Sequence, residues 1–128
     1  MVLVDTSSWI HFLRPDGDTE VRARVEAVLG AGTACWCPIV RLELWNGAGG
    51  EQERKVLREF EHLIPDLAID GEVWSAACEL ASRCRAAGVT VPATDLLIAA
   101  CARHHGAGVE HADADFDAIE GVVGGSET

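Results

Sequence analysis

Basic residues are scarce in this chain: Lys55 is the only lysine, and ten basic side chains face 21 acidic ones, for a net charge of −11. Phosphate contacts rest on Lys and Arg, so the charge balance argues against a protein that grips nucleic acid through a basic surface of its own. It is compatible with carboxylates that hold divalent cations, or with a basic protein partner. Long hydrophobic runs are also missing. Nothing approaches the ~18 consecutive apolar residues of a membrane span. The opening Met1-Val2-Leu3-Val4-Asp5 has no basic stretch and reaches a carboxylate at once, which reads against a secretory signal and toward a soluble, cytoplasmic protein. No second Cys-x-x-Cys or His-x3-His accompanies Cys35 and Cys37, so a structural zinc site is not indicated. The five cysteines, an odd number, read as buried free thiols in a reducing compartment.

What is present is an ordinary globular composition, 48% hydrophobic and 24% charged over 128 residues. That length suits one domain burying roughly two-thirds of its unfolded surface. Residues 1–120 are expected to form it, with a flexible Gly-rich tail over 121–128.

Val2-Leu3-Val4 is a short apolar run, as expected for a strand covered on both faces. After Asp5, a helix begins at Thr6-Ser7-Ser8 and carries Trp9, Ile10 and Leu13. A second helix places Val21, Val25, Val28 and Leu29 at helical spacing and ends near Gly30 and Gly32. Thr33 to Cys37 predicts a strand, and Pro38 suits the first turn of a helix over Ile39 to Asn46. A fourth helix spans Glu51 to Ile64, with Val56, Leu57, Phe60, Leu63 and Ile64 on one face and Glu51–Lys55 and Lys55–Glu59 pairs on the other. Leu67-Ala68-Ile69 predicts a strand. Asp70 caps a helix with the stripe Val73, Ala77, Leu80 and Cys84, ending near Gly88. Asp95 to His105 is almost uniformly apolar, hence a buried helix, and a last strand lies around Ala107 to His111. Short apolar strands alternating with helices imply a parallel sheet covered on both sides, an α/β domain of three layers.

The chemistry is carried by carboxylates. Asp5 lies where the first strand hands over to the first helix, the end at which open α/β sheets bind ligands. It would also serve there as a helix cap. Glu43 sits in the largely apolar helix Ile39-Val40-Arg41-Leu42-Glu43-Leu44-Trp45, on the side of Ile39. A carboxylate facing a core costs several kcal/mol unless paired or bound to a cation. Arg41, two positions away on the helix, does not face it. Asp95 opens the buried helix, where its charge is favourable against the helix dipole but should point into an interior cleft. Asp113 and Asp115 follow the last strand and, on an extended segment, would point the same way against their mutual repulsion. A solvated acidic turn is the plain alternative. Hard oxygen donors without a His or Cys pattern suit Mg²⁺ or Mn²⁺, which activate water and stabilise charge on a phosphoryl group. The histidines offer no coherent metal spacing, and the four tryptophans, each in an apolar stretch, read as core or interface.

Four segments in order resemble the PIN domain and, within it, the VapC toxins. They are Val4-Asp5-Thr6-Ser7, then Leu42-Glu43-Leu44 with Gly47-Ala48, then Thr94-Asp95-Leu96-Leu97-Ile98-Ala99, then His111-Ala112-Asp113-Ala114-Asp115-Phe116. The resemblance covers nearly the whole chain. It implies a three-layer PIN-like fold and a ribonuclease using Mg²⁺ or Mn²⁺ held by Asp5, Glu43, Asp95 and Asp113. It further implies Asp115 as an auxiliary ligand, Thr6 or Ser7 as a hydroxyl contact near the metal, inhibition by a VapB-type antitoxin, and a homodimer or a toxin–antitoxin hetero-oligomer. Two other small α/β classes fail on residues. A response-regulator receiver needs a lysine near the last strand, and a haloacid-dehalogenase phosphatase needs Asp where Ser7 stands. The remaining alternative is a catalytically silent PIN-like binding or assembly module, against which the intact carboxylates argue.

Overall fold

The computed structural model describes residues 1–127, with side chains described for residues 1–124. Three short parallel strands, β1 (Val2–Val4), β2 (Ala34–Cys35) and β3 (Gly108–Glu110), form a sheet in the order β2-β1-β3. Leu3 and Val4 point to opposite faces of β1, and both are fully buried. The sheet is therefore covered on both sides, as a wholly apolar central strand requires. The helices are α1 (Thr6–Leu13), α2 (Thr19–Gly30), α3 (Pro38–Gly47), α4 (Glu51–Leu63), α5 (Gly71–Ala86), α6 (Ala93–His104) and α7 (Ala114–Glu127). The α/β architecture and its parallel sheet agree with the expectation from sequence.

The chain leaves β1 toward β2 on one side and returns to β3 on the other. The carboxyl ends of β1 and β3 are thus neighbours at the point where strand order reverses, which is where open α/β sheets place their ligand crevice. Asp5 follows β1 there, and the His111–Asp113 turn follows β3.

Two tight turns fix the frame. Gly17 is required because a Cβ there would lie 1.8 Å from the His11 carbonyl oxygen, so α1 and α2 can meet only across a residue without a side chain. Gly88 takes φ +74 just past the last turn of α5, and Val89 N–H returns to Cys84 O at 2.8 Å. The core joins the sheet to an aromatic group in which Trp9 lies 5.3 Å from Phe60 and 6.0 Å from Trp36 between ring centres.

Four local expectations differ. Leu67-Ala68-Ile69 is not a strand of the sheet. Its neighbour Asp66 makes a lone bridge to Trp36, and the Leu67 and Ala68 carbonyls are taken by side chains of α6 and its end. Cys101 Sγ reaches both carbonyls at 3.8 Å, and His105 Nε2 bonds Ala68 O at 2.8 Å. On α4, Leu63 is exposed rather than packed, and Glu51 pairs with Arg54 and Arg58 instead of Lys55. The Gly-rich segment from Gly121 begins inside α7, which continues to Glu127, and Val123 is buried, so burial outweighs the low helix propensity of glycine there. Of that expected tail, Thr128 lies outside the described residues. Finally, four of the five thiols are buried and free as expected, while Cys78 is exposed.

Candidate metal centre

Each site residue arrives on a different element. Asp5 caps α1: its Oδ2 accepts from Ser7 N–H at 3.0 Å and from Ser7 Oγ–H at 2.6 Å. The side chain is nonetheless buried, at 3% exposure, so it faces the crevice rather than open water. The cap and the site are one arrangement. Ser7 Oγ also accepts from Ala112 N–H at 3.0 Å, tying the end of β1 to the turn after β3.

Asp95 is the third residue of α6, whose cap is Pro92. It is 9% exposed and its Oδ2 is buried without a hydrogen-bond partner. Burial, then the charges of Asp113, Asp5 and Asp115, raise its pKa to about 7. Each of these causes opposes the carboxylate form in the absence of a cation.

Asp113 and Asp115 converge with Asp95, one oxygen from each lying within 4.8 Å of the others. They do so by a route other than an extended segment. Asp115 lies in the first turn of α7, and its N–H donates to Asp113 Oδ1 at 2.9 Å. His111 Nδ1 accepts from Asp113 N–H at 3.3 Å, a local hydrogen bond at the end of the strand.

Glu43 stands apart from this tight triad. It projects from α3 toward α1, where Thr6 Oγ–H donates to its Oε1 at 2.9 Å. Burial raises its pKa, the Thr6 hydrogen bond opposes that rise, and the charge of Asp5 adds to it. Asp5 thus acts electrostatically on both Asp95 and Glu43. Arg41 turns away from the site to Asp66 at 3.3 Å.

Three residues of the surroundings were not foreseen: Ser8, Arg24 and Glu110. Glu110 accepts from Ser8 Oγ–H at 2.5 Å and from Arg24 Nε–H at 2.6 Å. The available signal was a glutamate ending an otherwise apolar strand beside the acidic turn.

Among the described residues, Asp5, Glu43, Asp95, Asp113 and Asp115 form no ion pair with a basic side chain. A buried carboxylate oxygen without a donor, beside two more carboxylates and no countercharge, fits a divalent cation. The donors are all hard oxygens, which suits Mg²⁺ or Mn²⁺ better than zinc.

Comparison with known proteins gives matches in both sequence and fold. The sequence matches the PIN domain family over residues 2–122. It is 35% identical to Ribonuclease VapC11 of Mycobacterium tuberculosis, covering 96% of this chain and 94% of that protein. It is 31% identical to Ribonuclease VapC18 of the same organism, covering 94% and 88%. The fold is similar to a chain in the crystal structure of FitAcB from Neisseria gonorrhoeae, with TM-score 0.70, 23% identity and 94% of each chain covered. It is also similar to a chain in the structure of VapBC2 from Rickettsia felis bound to a promoter DNA fragment, with TM-score 0.67, 18% identity and 85% of each chain covered.

Proposed function

The chain belongs to the PIN domain family, and from that premise we propose that it is a Mg²⁺- or Mn²⁺-dependent endoribonuclease, the toxin of a VapBC-type pair acting in the cytoplasm. The observation that carries the metal dependence is the unpartnered buried oxygen of Asp95 inside the triad with Asp113 and Asp115.

Asp95, Asp113 and Asp115 would hold the cation, with Asp5 and Glu43 completing the acidic wall. When bound, a divalent cation supplies water activation and charge stabilisation for in-line displacement at phosphorus. The chain's own groups orient the donors. Ser7 fixes Asp5 and the turn before Asp113, Thr6 fixes Glu43, and the Asp115 amide fixes Asp113. Without a cation, these carboxylates repel an RNA phosphate, so substrate binding and cation binding are coupled.

The resemblance to VapC proteins also implies a VapB-type antitoxin. A small apolar recess of ≈ 60 Å³ lies between α1, α3 and α4, and its walls include Ile10, Leu13, Leu44 and Leu57 with Glu43 at one side. An amphipathic antitoxin helix would bury its apolar face there, and a basic side chain from it would reach the site's carboxylates. Two copies of the toxin are expected in the assembly.

The test is cleavage of RNA by purified protein in EDTA and in Mn²⁺. Cleavage that appears only with Mn²⁺ and is removed by Asp95→Asn is expected. RNA binding with no cleavage in either condition would favour a silent assembly module.

A further inference from the structure

The turn that delivers Asp113 must hold its position against three neighbouring negative charges, and its anchoring has a component outside the acidic site. Glu110, the last residue of β3, has a side chain only 10% exposed. Ser8, fully buried on α1, donates to its Oε2 at 2.5 Å, and Arg24, on α2, donates from Nε to its Oε1 at 2.6 Å. The Arg24 Nη2 also donates to the backbone carbonyl of His111 at 3.3 Å. One guanidinium therefore grips both the side chain of Glu110 and the main chain one residue on. The carbonyl of Glu110 accepts from Asp5 N–H at 2.9 Å, and the amide of Ala112 bonds Ser7 Oγ at 3.0 Å. The segment 110–112 is thus held by α1 on one side and α2 on the other, directly before Asp113.

We propose that Arg24 is a positioning residue for the metal site, acting through Glu110 on the turn that carries Asp113. The inference rests on the reading of the acidic cluster as a cation site. An exposed ion pair would contribute little, but Glu110 is almost wholly buried, and a buried carboxylate that loses a donor moves to regain one. That movement displaces the turn. The side chain of Arg24 is 46% exposed, so its loss should leave the core intact. Lysine keeps the charge but cannot bond Glu110 and the His111 carbonyl with the same fork.

The experiment is titration of the metal-free full chain with MnCl₂ by calorimetry. It compares wild type, Arg24→Ala, Arg24→Lys, Glu110→Gln and the Arg24→Ala/Glu110→Gln double variant, with Arg58→Ala as a control on a remote surface pair. Arg24→Ala should weaken Mn²⁺ binding by about tenfold, as loss of a group orienting a ligand does. Arg24→Lys should fall between it and wild type, and Arg58→Ala should match wild type. The double variant should bind no more weakly than the worse single variant, because both act on one contact. Should Arg24→Ala fail to fold, Arg24→Lys carries the test, and wild-type affinity there overturns the proposal. So does wild-type affinity in folded Arg24→Ala, or multiplicative loss in the double variant. In those cases the metal site itself stands. A wild-type chain that binds no Mn²⁺ would instead remove the metal-site reading and this proposal together.

Discussion

Thr6 Oγ–H donates to Glu43 Oε1 at 2.9 Å, joining the first turn of α1 to the middle of α3 across 37 positions. The next residue, Ser7, bonds Asp5. Two consecutive hydroxyls therefore orient two carboxylates, and the Thr6 bond favours the charged form of Glu43 against the burial that opposes it.

Removing that donor should be visible in the pH dependence of cleavage. Thr6→Val is expected to raise the pKa of Glu43 further and shift the acidic limb of kcat/KM to higher pH. Activity near neutrality should fall by about tenfold, while Thr6→Ser stays close to wild type. Glu43→Gln, correctly folded, should cleave no RNA. An unshifted pH profile in Thr6→Val would show that the hydroxyl does not tune the glutamate.

Asp95 makes stability depend on pH in a direction set by its raised pKa. The group binds a proton more tightly folded than unfolded, so its contribution is fully present below the ordinary value of 3.8. It is lost as pH rises through about 7. In EDTA, the wild type should therefore lose stability across that window. Asp95→Asn should be more stable than wild type at pH 8, by about 1–3 kcal/mol, and lose the advantage near pH 4. Mn²⁺ should raise the wild-type Tm at pH 8 far more than at pH 5, because it competes with the proton. An apo Asp95→Asn protein melting below wild type at pH 8 would contradict a crowded site.

Much of this arrangement is legible in the sequence, for local reasons. Val2-Leu3-Val4 reads as a strand because every position is apolar, and Asp5 and Asp95 stand out where apolar elements begin or end. Leu67-Ala68-Ile69 has the same local pattern as a strand, yet Cys101 and His105 occupy its carbonyls, and these contacts come from a helix more than thirty positions away. Asp115 likewise joins the triad more closely than Glu43 does, because α7 starts one residue after Asp113. The Ser8–Glu110–Arg24 contacts span 102 and 86 positions, and no local pattern announces them.

The turn between α1 and α2 gives a purely structural check. Gly17→Ala would set a methyl group 1.8 Å from the His11 carbonyl oxygen, a backbone atom that cannot swing aside. Thermal melts should show a loss of about 1–3 kcal/mol. Gly30→Ala, with nothing within 4 Å of the new Cβ, should be neutral or stabilising. Equal melting temperatures for the two variants would contradict the close approach of Gly17 to the His11 carbonyl.

Co-expression with the neighbouring open reading frame tests the partner. A tagged toxin should copurify with a small protein as a complex silent toward RNA, and digestion of the partner should restore cleavage. Leu13→Asp, at a half-buried position in the wall of the recess between α1, α3 and α4, should weaken the complex. Equal cleavage with and without the partner bound would remove the antitoxin from the account.

The most direct measurement is single-turnover cleavage of a labelled RNA by wild type and Asp95→Asn across a Mn²⁺ titration at pH 8. Wild type should not cleave in EDTA and should show a saturable rise with Mn²⁺, while folded Asp95→Asn should show no measurable rise at the concentrations that saturate wild type. Wild-type rates from Asp95→Asn, or full activity in EDTA, would contradict metal-dependent cleavage through Asp95.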